Sequence, residues 1–450
     1  MPRVPRSRCV PALVSGVSAL SVLALLGACS PGDSTGTGED RLVYWSMWRE
    51  GEPQQKVLRS ALDAFTEETG IEVEVQWSGR QVLQQVAPRL NSGNPPDLTD
   101  QDGTLLHAAL GEGALGLQDV FDARITGEGH QVSEVVPESL VATARTGDGQ
   151  PMVVPYEVIG STLWFNGKKH PGLAGQDRLS WSEFTAILDG LSGQGRTPLA
   201  LDGDIAGYDT YWMTWSIVRH GGVGLLNRAC ADRTGAAWDD PAFLAAARDI
   251  HRLIDQGYFP EDFNATKFPA QQTAWAAGTN RTDFLLMGTW APGETGEALK
   301  KSGKDVASLI DYRSVKYPEV EGGKGNDAAQ AGVIGFSVPA KARNAEAAKE
   351  FIRFFLHKDR LTGISTEADN LTPRTDIPAP ATLADFGKEY AAADGQYFQP
   401  NDDCGTVAAG WVTDVWEPVV VDLFNGGTDG AEGFVRAIKE KSVAYYRNNG

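Results

Sequence analysis

A strand, a helix and a second strand follow one another near the start of the chain, and this alternation constrains the fold most strongly. Leu42–Trp45 is a short apolar run. Apolar residues then recur at helical spacing from Pro53 to Thr69; Pro53 suits a first helical turn, and Gly70 suits the left-handed residue that follows a helix. Ile71–Trp77 alternates apolar and polar residues, which is typical of a strand with one solvated face. Strands that alternate with helices predict an open α/β sheet.

The carboxyl ends of the predicted strands carry aromatic, acidic and basic residues, and ligands of open α/β sheets bind beyond such ends. The three ends are Trp45–Trp48, Trp77–Arg80 and Asp100–Asp102. Trp45 is expected in the core. The residues expected at a ligand site are Trp48, Trp77, Arg80, Asp100 and Asp102. Two alternatives stay open: Trp77 covers the end of the core, and strand alternation decides which aspartate points inward.

A second α/β region begins near Pro151. Its predicted strands include Leu163–Phe165 and Phe284–Met287, and Val333–Val338 follows later in the chain. Ser180-Trp181-Ser182-Glu183 has the pattern of a capping box at the start of a helix. Two α/β regions indicate two lobes with a cleft between them.

Residues 1–28 have the pattern of a secretory signal peptide, with arginines before an apolar stretch and small residues before Cys29. Leu26-Gly27-Ala28-Cys29 resembles the bacterial lipobox, in which the cysteine is lipidated. A membrane-spanning helix and cleavage with an unmodified Cys29 are the alternatives. Residues 29–40 are rich in Gly, Ser and Thr and are expected to form a flexible tether. We therefore expect a protein outside the cytoplasm, anchored by acyl chains to the outer face of the cell membrane.

The remaining cysteines bear on redox state and metal binding. Cys9 leaves with the signal peptide, whereas Cys230 and Cys404 can form a disulfide in an oxidising compartment or stay as two separate buried thiols. The sequence has no CxxC and no Cys–His grouping typical of zinc sites. We expect neither a metal nor a cofactor.

Charge and tryptophan content narrow the kinds of ligand. The 59 acidic residues exceed the 40 Lys and Arg and give a net charge of −19. Such acidity argues against nucleic-acid binding, because that affinity comes mostly from neutralising phosphates. The 12 tryptophans exceed what a core needs, and a polar solute with apolar faces would use them.

The order of these segments resembles the extracellular solute-binding proteins of ATP-driven (ABC) importers, in particular the sugar-binding family that includes maltose-binding protein. The matching segments cover nearly all of the chain after the tether. They are Leu42–Trp45 with Glu68–Val73, Pro96–Leu98, Val154–Glu157, Trp164–Asn166, Ser180–Phe184, Met287–Glu294, Gly335–Pro339 with Ala347–Phe351, and Asn370–Arg374.

The resemblance implies an α/β, two-lobe periplasmic-binding-protein fold of type II, with the ligand cleft between lobes joined by hinge strands. It places lobe one at 41–155 and 332–385, and lobe two at 156–331 and 386–450. It implies a monomeric, non-enzymatic protein that captures a mono- or oligosaccharide and delivers it to the transmembrane subunits of a permease. Closure of the lobes requires that residues of both contact the solute.

Further candidates come from the matched segments and the second region, each with a structural alternative. Trp290 matches the family position that stacks on sugar, or packs in the core. Tyr211 and Trp212 contact the ligand, or belong to the apolar face of a helix. Tyr156 and Glu157 lie at the first lobe crossing, where a hinge hydrogen bond is the alternative for Glu157. Arg374 lies in a Thr-Pro-Arg motif and binds ligand or forms an ion pair.

Two other functions stay open. One is binding of a non-sugar solute, such as a polyol phosphate, a peptide or a polyamine. The other is a secreted carbohydrate-active enzyme, although the sequence has no HExxH and no GxSxG motif. Gly111–Gly116 fits GxGxxG, but it follows a helical pattern rather than a strand and is interpreted as a turn.

Overall fold

The computed structural model describes residues 41–142, 144–393, 395–408 and 410–449. The predicted signal peptide, Cys29 and the tether lie outside the described residues. The strands are β1 (Arg41–Ser46), β2 (Glu72–Trp77), β3 (Leu98–Asp102), β4 (Val154–Ile159), β5 (Ser161–Asn166), β6 (Leu199–Ala200), β7 (Phe284–Gly288), β8 (Tyr312–Val315), β9 (Ala329–Gln330), β10 (Gly332–Ser337) and β11 (Tyr397–Phe398).

Helices cover both sheets. They are α1 (Pro53–Thr69), α2 (Val82–Ser92), α3 (Gly103–Leu110), α4 (Gln118–Asp122), α5 (Val132–Val135), α6 (Trp181–Ser192), α7 (Ala206–Gly221), α8 (Leu225–Ala231), α9 (Pro241–Asp255), α10 (Ala270–Ala277), α11 (Ala291–Lys301), α12 (Val306–Leu309), α13 (Ala345–Phe355), α14 (Lys358–Thr366), α15 (Ala384–Ala392), α16 (Cys404–Val407), α17 (Glu417–Phe424) and α18 (Gly430–Asn449). Within the described ranges, no helix is long and apolar enough to cross a bilayer.

The first sheet has the strand order β2-β1-β3-β10-β4. β1 is parallel to β2 and to β3, whereas β10 is antiparallel to β3 and β4. The carboxyl ends of β1, β2 and β3 therefore lie at one edge, as the sequence predicts. Phe65 of α1 packs edge-on against Phe351 of α13, with ring centroids 5.4 Å apart, and these rings form part of the core against the sheet.

The second sheet has the order β6-β7-β5-β8, with β5 antiparallel to both neighbours. Side chains of β5 alternate between two buried faces. Leu163 and Phe165 belong to the core that contains α7 and α9, whereas Trp164 lies on the other face and donates from Nε1 to the carbonyl of Met287 at 3.0 Å. Burial on both faces explains why the middle of this strand, Leu163–Phe165, is continuously apolar.

Three segments pass between the sheets and meet at Gly160. Gly160 separates β4 from β5, β9 leads into β10, and Leu371 bridges to Val158. A Cβ atom on Gly160 would lie 2.2 Å from the carbonyl oxygen of Gln330 and 2.4 Å from the ring of Phe386, so only glycine fits there. The lobe limits at 155 and 156 stay a prediction; the chain itself leaves the first sheet at Gly160.

Local signals in the sequence are confirmed where they depend on neighbouring residues only. Helix α1 has the predicted bounds, Gly70 has a φ of 77°, and the Ser180–Glu183 capping box has both of its hydrogen bonds. Asn344 is a residue type that commonly caps a helix and it precedes α13, but its side chain does not cap the helix. It donates instead to the carbonyl of Arg41 at 2.7 Å, because the helix start lies against β1.

Candidate functional site

The loop after β1 and the ends of β3 and β4 form a buried chain of hydrogen bonds. Asp100 is fully buried and accepts from the backbone N–H of Met47 at 2.8 Å and from Tyr156 Oη at 2.6 Å. Tyr156 Oη in turn accepts from Trp48 Nε1 at 2.7 Å. Burial raises the pKa of Asp100, while the hydrogen bonds from Tyr156 and Met47 act to lower it. Asp100 therefore orients Trp48 through Tyr156.

Arg80 covers this chain on the solvent side. Its guanidinium lies 4.3 Å from the centroid of the Trp48 ring and donates to the Met47 carbonyl at 2.9 Å and to Glu52 at 3.0 Å. The Arg80 side chain is 49% exposed, so it remains available to a solute. The stacked cation and ring give one wall of the cleft an apolar face with a positive edge.

Glu157 lies beside this group, on β4. It is 1% exposed and accepts from Gln54 Nε2 at 3.2 Å and from Asn370 Nδ2. Burial raises the pKa of Glu157 to about 7, and the charge of Arg80 is among the influences that lower it. Glu157 Oε2 is buried and has no hydrogen-bond partner among the described residues. We call Trp48, Arg80, Asp100, Tyr156 and Glu157 the first wall.

The opposite side is formed by the first turns of three helices that pack on the second sheet. Gln272 of α10 is fully buried and donates from Nε2 to Glu294 of α11 at 2.9 Å. Trp290 lies one helical turn before Glu294 and is partly buried. We call this group the second wall; its members are Tyr208, Tyr211, Gln272, Trp290 and Glu294.

Two electrostatic pairs join the two sides of the cleft. The negative charge of Asp102, at the end of β3, is the second cause after burial that raises the pKa of Tyr211. The charge of Arg80 acts on Glu294. Groups that influence one another in this way lie close together. Arg80 of the first wall therefore lies near Glu294 of the second wall, and the end of β3 lies near Tyr211.

Trp290 lies close to Gly160, the residue between β4 and β5. The N–H of Thr289 donates to the carbonyl of Gly160 at 2.8 Å. The Trp290 ring covers Gly288, where a Cβ would lie 2.2 Å from ring atoms. The Gly-Thr-Trp sequence thus places an indole at the base of the cleft, and glycine is required for this close approach.

Polar atoms without partners occur on both sides of the cleft. Besides Glu157 Oε2, these are Gln272 Oε1 and Thr289 Oγ1, each buried and without a hydrogen bond to any described residue. Leaving a buried acceptor unpaired costs about 1–3 kcal/mol. A solute with several hydroxyl donors would satisfy such acceptors.

The structure brings seven of the predicted site residues to the two walls and places the others differently. Asp102 lies at the cleft edge, but its carboxylate caps α3 by accepting from Thr104 N at 2.9 Å and Leu105 N at 3.2 Å. Trp77 packs against Tyr44 and under Arg59, whose guanidinium lies 5.2 Å from the ring centroid. We therefore leave Asp102 and Trp77 out of the ligand contacts.

Trp212 and Arg374 lie away from the walls. Trp212 is fully buried edge-on against Phe259 in the core on the α7 side of the second sheet. Arg374 is 2% exposed and pairs with Glu128 and Asp376 at 2.9 Å each. The Arg374 guanidinium lowers the pKa of Asp376 to about 2. Trp212 therefore packs in the core and Arg374 forms ion pairs, and these are the structural roles that the sequence left open for them.

Sequence reasoning did not single out Tyr208, Gln272 or Glu294. Glu294 lies in a segment that the resemblance includes, and an acidic residue one turn after Trp290 was the available signal. Gln272 has no such signal, because its position depends on how α10 packs beside α11. Across the described ranges, no group of three His, Cys, Asp or Glu residues is placed to hold a metal ion.

Two further depressions occur outside the walls. A groove of about 370 Å³ opens beside Arg80, between α2 and α3. A cavity of about 390 Å³ lies at the β8 edge and is lined by charged residues, including Lys316 and Glu389. Of the two, only the groove is lined by a residue of the first wall, which is Arg80.

Comparison with known families decides the kind of protein to which this cleft belongs. Residues 50–359 match the family model described as bacterial extracellular solute-binding protein. The chain belongs to this family. Members are binding proteins that act outside the cytoplasm, in agreement with the extracytoplasmic location expected from the sequence.

The curated relatives of this family member match only part of their own length. The "Probable sugar-binding periplasmic protein" of Brucella suis biovar 1 (strain 1330) is 25% identical over 252 residues, which cover 54% of each chain. The "Diacetylchitobiose binding protein NgcE" of Streptomyces coelicolor is 22% identical over 63% of this chain and 59% of its own. The chain therefore spans a little over half the length of these relatives.

Solved structures show the fold over almost the whole chain. A structure named "Chitin oligosaccharide binding protein" superposes with a TM-score of 0.68 at 20% identity, covering 91% of this chain and 100% of the other. A cyclo/maltodextrin-binding protein complexed with maltotetraose gives a TM-score of 0.65 at 16% identity, with coverages of 91% and 98%. The predicted type II periplasmic-binding-protein fold is confirmed.

Proposed function

We propose that this protein binds a mono- or oligosaccharide outside the cell and delivers it to the membrane permease of an ABC importer. The observation that carries the proposal is the two-walled cleft, with Trp48 and Tyr156 on one side, Trp290 and Tyr211 on the other, and unpaired buried acceptors between them. Sugar rings present apolar C–H faces to indoles and hydroxyl donors to acceptors, so both features suit the same solute.

The binding energies of aromatic contacts and hydrogen bonds in the cleft are sufficient for micromolar affinity. An aromatic contact contributes about 0.5–1.5 kcal/mol beyond buried area. A hydrogen bond to a charged group contributes about 1.5–3 kcal/mol. A few of each reach the roughly −8 kcal/mol that corresponds to micromolar binding. The names of the relatives and of the superposed structure, which refer to sugar, diacetylchitobiose and maltotetraose, support the same class of solute.

The same geometry supports delivery to a permease. A solute that contacts both walls favours the closed arrangement of the lobes, and a permease can recognise that arrangement. We further propose that Cys29 is lipidated and holds the protein at the membrane, that the protein acts as a monomer, and that it returns its solute chemically unchanged.

The test is a titration panel on the purified chain without residues 1–28. Gluco-, xylo-, galacto- and N-acetylglucosamine-based saccharides of one to six units are titrated by calorimetry and tryptophan fluorescence. Spermidine, a tetrapeptide and glycerol 3-phosphate are included as non-sugar probes. We expect one saccharide class to give heat and a fluorescence change. Binding of a non-sugar probe alone, or of none, would overturn the proposal.

Two controls accompany the panel. Mass spectrometry of the bound saccharide after long incubation distinguishes a binding protein from an enzyme, because only an enzyme accumulates product. Metabolic labelling with an alkyne-bearing palmitate, comparing the full chain with Cys29→Ser, tests the anchor. Equal labelling of the two chains would contradict lipidation of Cys29.

A further inference from the structure

Residues Gln399–Val407, which we call the strap, run from the segment where β11 pairs with β9, between the two sheets, to helix α3. The strap begins directly after β11. Gln399 Nε2 donates to the carbonyl of Leu140 at 3.2 Å. Helix α16, at the other end of the strap, packs against both α8 and α3. The strap therefore contacts elements associated with both sheets.

Three anchors fix the strap on the side of the second sheet. The Asp402 carboxylate accepts backbone N–H groups of Gly224 at 2.8 Å and of Leu226 at 3.0 Å, at the start of α8. Cys404 forms a disulfide with Cys230 of α8, with Cα atoms 6.0 Å apart. Trp416 Nε1 donates to Asn401 at 3.0 Å. These anchors hold the strap to the start of α8 and to the segment that precedes α17.

The strap backbone adopts a conformation that is unfavourable for residues other than glycine. Asn401, Asp402 and Asp403 have φ values of 55°, 49° and 64°, so three successive non-glycine residues are left-handed. Such residues persist only where the surroundings hold them, and they are common at ligand clamps. The disulfide and the Asp402 hydrogen bonds supply that support.

Three large hydrophobic side chains are exposed within the described ranges: Leu105, Ile205 and Val407, with exposures of 52%, 41% and 46%. Leu105 lies in the first turn of α3, and Val407 ends α16, which packs against α3. Ile205 precedes α7, and its carbonyl accepts from Tyr208 N at 2.8 Å. Leu105 and Val407 thus give two contacting helices exposed apolar side chains that a solute could cover.

We infer that the strap closes the α3 end of the cleft over the bound solute and that the Cys230–Cys404 disulfide, by fixing the strap, sets how slowly the solute leaves. The disulfide acts through the strap and is a positioning element. The inference rests on the proposed saccharide binding, and it predicts a stronger effect for long saccharides, which reach the α3 end, than for short ones.

The experiment removes the disulfide and leaves both walls intact. Cys230→Ser/Cys404→Ser is compared with the wild-type chain, using as probes the shortest and the longest panel saccharides that the wild-type chain binds. We expect stopped-flow fluorescence to show about a tenfold faster dissociation of the longer probe, with little change in the association rate. Val407→Ser, at an exposed position that leaves the fold intact, is expected to give a smaller change in the same direction.

A matched control separates positioning from general stability. Leu62→Ala removes a buried side chain of α1 in the core against the first sheet and leaves the strap anchors in place. It should lower the melting temperature and leave dissociation unchanged. Equal acceleration by Leu62→Ala, or unchanged dissociation in the double-serine variant, would overturn the inference.

A measurement without sugar completes the test. Hydrogen exchange of the α3 amides is compared between the oxidised wild-type chain and the double-serine variant, and we expect faster exchange in the variant. Unchanged exchange in α3 would overturn the inference even if no saccharide binds. Failure of the saccharide panel alone overturns the proposed function, so the two failures are distinguishable.

Discussion

The first wall holds its indole through a chain of buried hydrogen bonds, whereas the second wall presents its groups from the first turns of α7, α10 and α11. Asp100, Tyr156 and Trp48 form the chain, and each bond is 2.8 Å or shorter along it. On the second wall, Trp290 is fixed by its packing over Gly288, and the Gln272–Glu294 bond ends at a solvent-exposed carboxylate. The first wall is therefore the more tightly determined of the two.

This difference indicates that the two walls contribute to solute binding in different ways. A network of satisfied buried groups fixes one geometry and requires little ordering when a solute arrives. Groups at helix starts, held mainly by packing, can adjust as the lobes close. Substitutions in the first wall should therefore affect stability and binding together, whereas those in the second wall should affect binding alone.

The largest effect is expected for Asp100→Ala. The substitution leaves the Met47 N–H and the Tyr156 hydroxyl without their acceptor. The free energy of unfolding should therefore fall by about 4 kcal/mol. Chemical denaturation measures the loss. Asp100→Asn, which keeps an acceptor oxygen, should lose less, and equal losses in the two variants would contradict the role assigned to the chain.

The next effect concerns pH and Glu157. The pKa of Glu157 is about 7 in the fold and 4.5 in the unfolded chain, so the folded chain retains a proton that the unfolded chain releases as pH rises above 4.5. Stability contributed by the protonated form is present below pH 4.5 and is lost as pH rises through 7. Glu157→Gln should remove this loss, raising the unfolding free energy at pH 8 by at most about 3 kcal/mol relative to wild type.

The control for this experiment is the difference between the two chains across pH. Carboxylates distant from Glu157 titrate equally in both chains, so the difference curve reports Glu157 together with its coupling to the neighbouring Asp100. If the difference in unfolding free energy between the two chains does not change between pH 4.5 and 8, the fold does not raise the pKa of Glu157.

Trp290→Ala tests the second wall. We expect at least tenfold weaker saccharide binding, equivalent to about 1.4 kcal/mol, because the indole face is lost. The fold should survive, since the ring is only partly buried. Trp181→Phe, at a partly buried tryptophan on α6 away from the walls, serves as the matched control. Unchanged affinity in Trp290→Ala would remove this residue from the site.

The smallest effect is expected for Tyr211→Phe. The Tyr211 ring stays in place and only the hydroxyl is removed, so stability should change by less than about 0.5 kcal/mol. Calorimetry should show a modest loss of affinity. A stability loss as large as that of Tyr156→Phe, which breaks two buried hydrogen bonds, would remove the proposed contrast between the walls.

Much of the first wall could be predicted because parallel strands bring their carboxyl ends to one edge. Trp48, Arg80 and Asp100 follow directly from that rule. The same rule misplaced Trp77, since it does not say to which face of the sheet a terminal residue points. In Trp77 the side chain turns toward α1, where Arg59 covers it.

The second wall was less predictable because it depends on packing between helices. Tyr211 and Trp212 are neighbours on α7, yet one faces the cleft and the other lies fully buried against Phe259. Helical periodicity alone does not decide which face of a helix meets the core when both faces are apolar.

By itself the sequence determined the α/β class, the bounds of α1, the start of α6 and the strand ends of the first wall, because each depends on residues close together in the chain. Only the tertiary structure decided the Asp100–Tyr156–Trp48 chain, the Gln272–Glu294 pair and the position of the strap. These join residues separated by tens to hundreds of positions, and their distances are set by how sheets and helices pack, which no local pattern encodes.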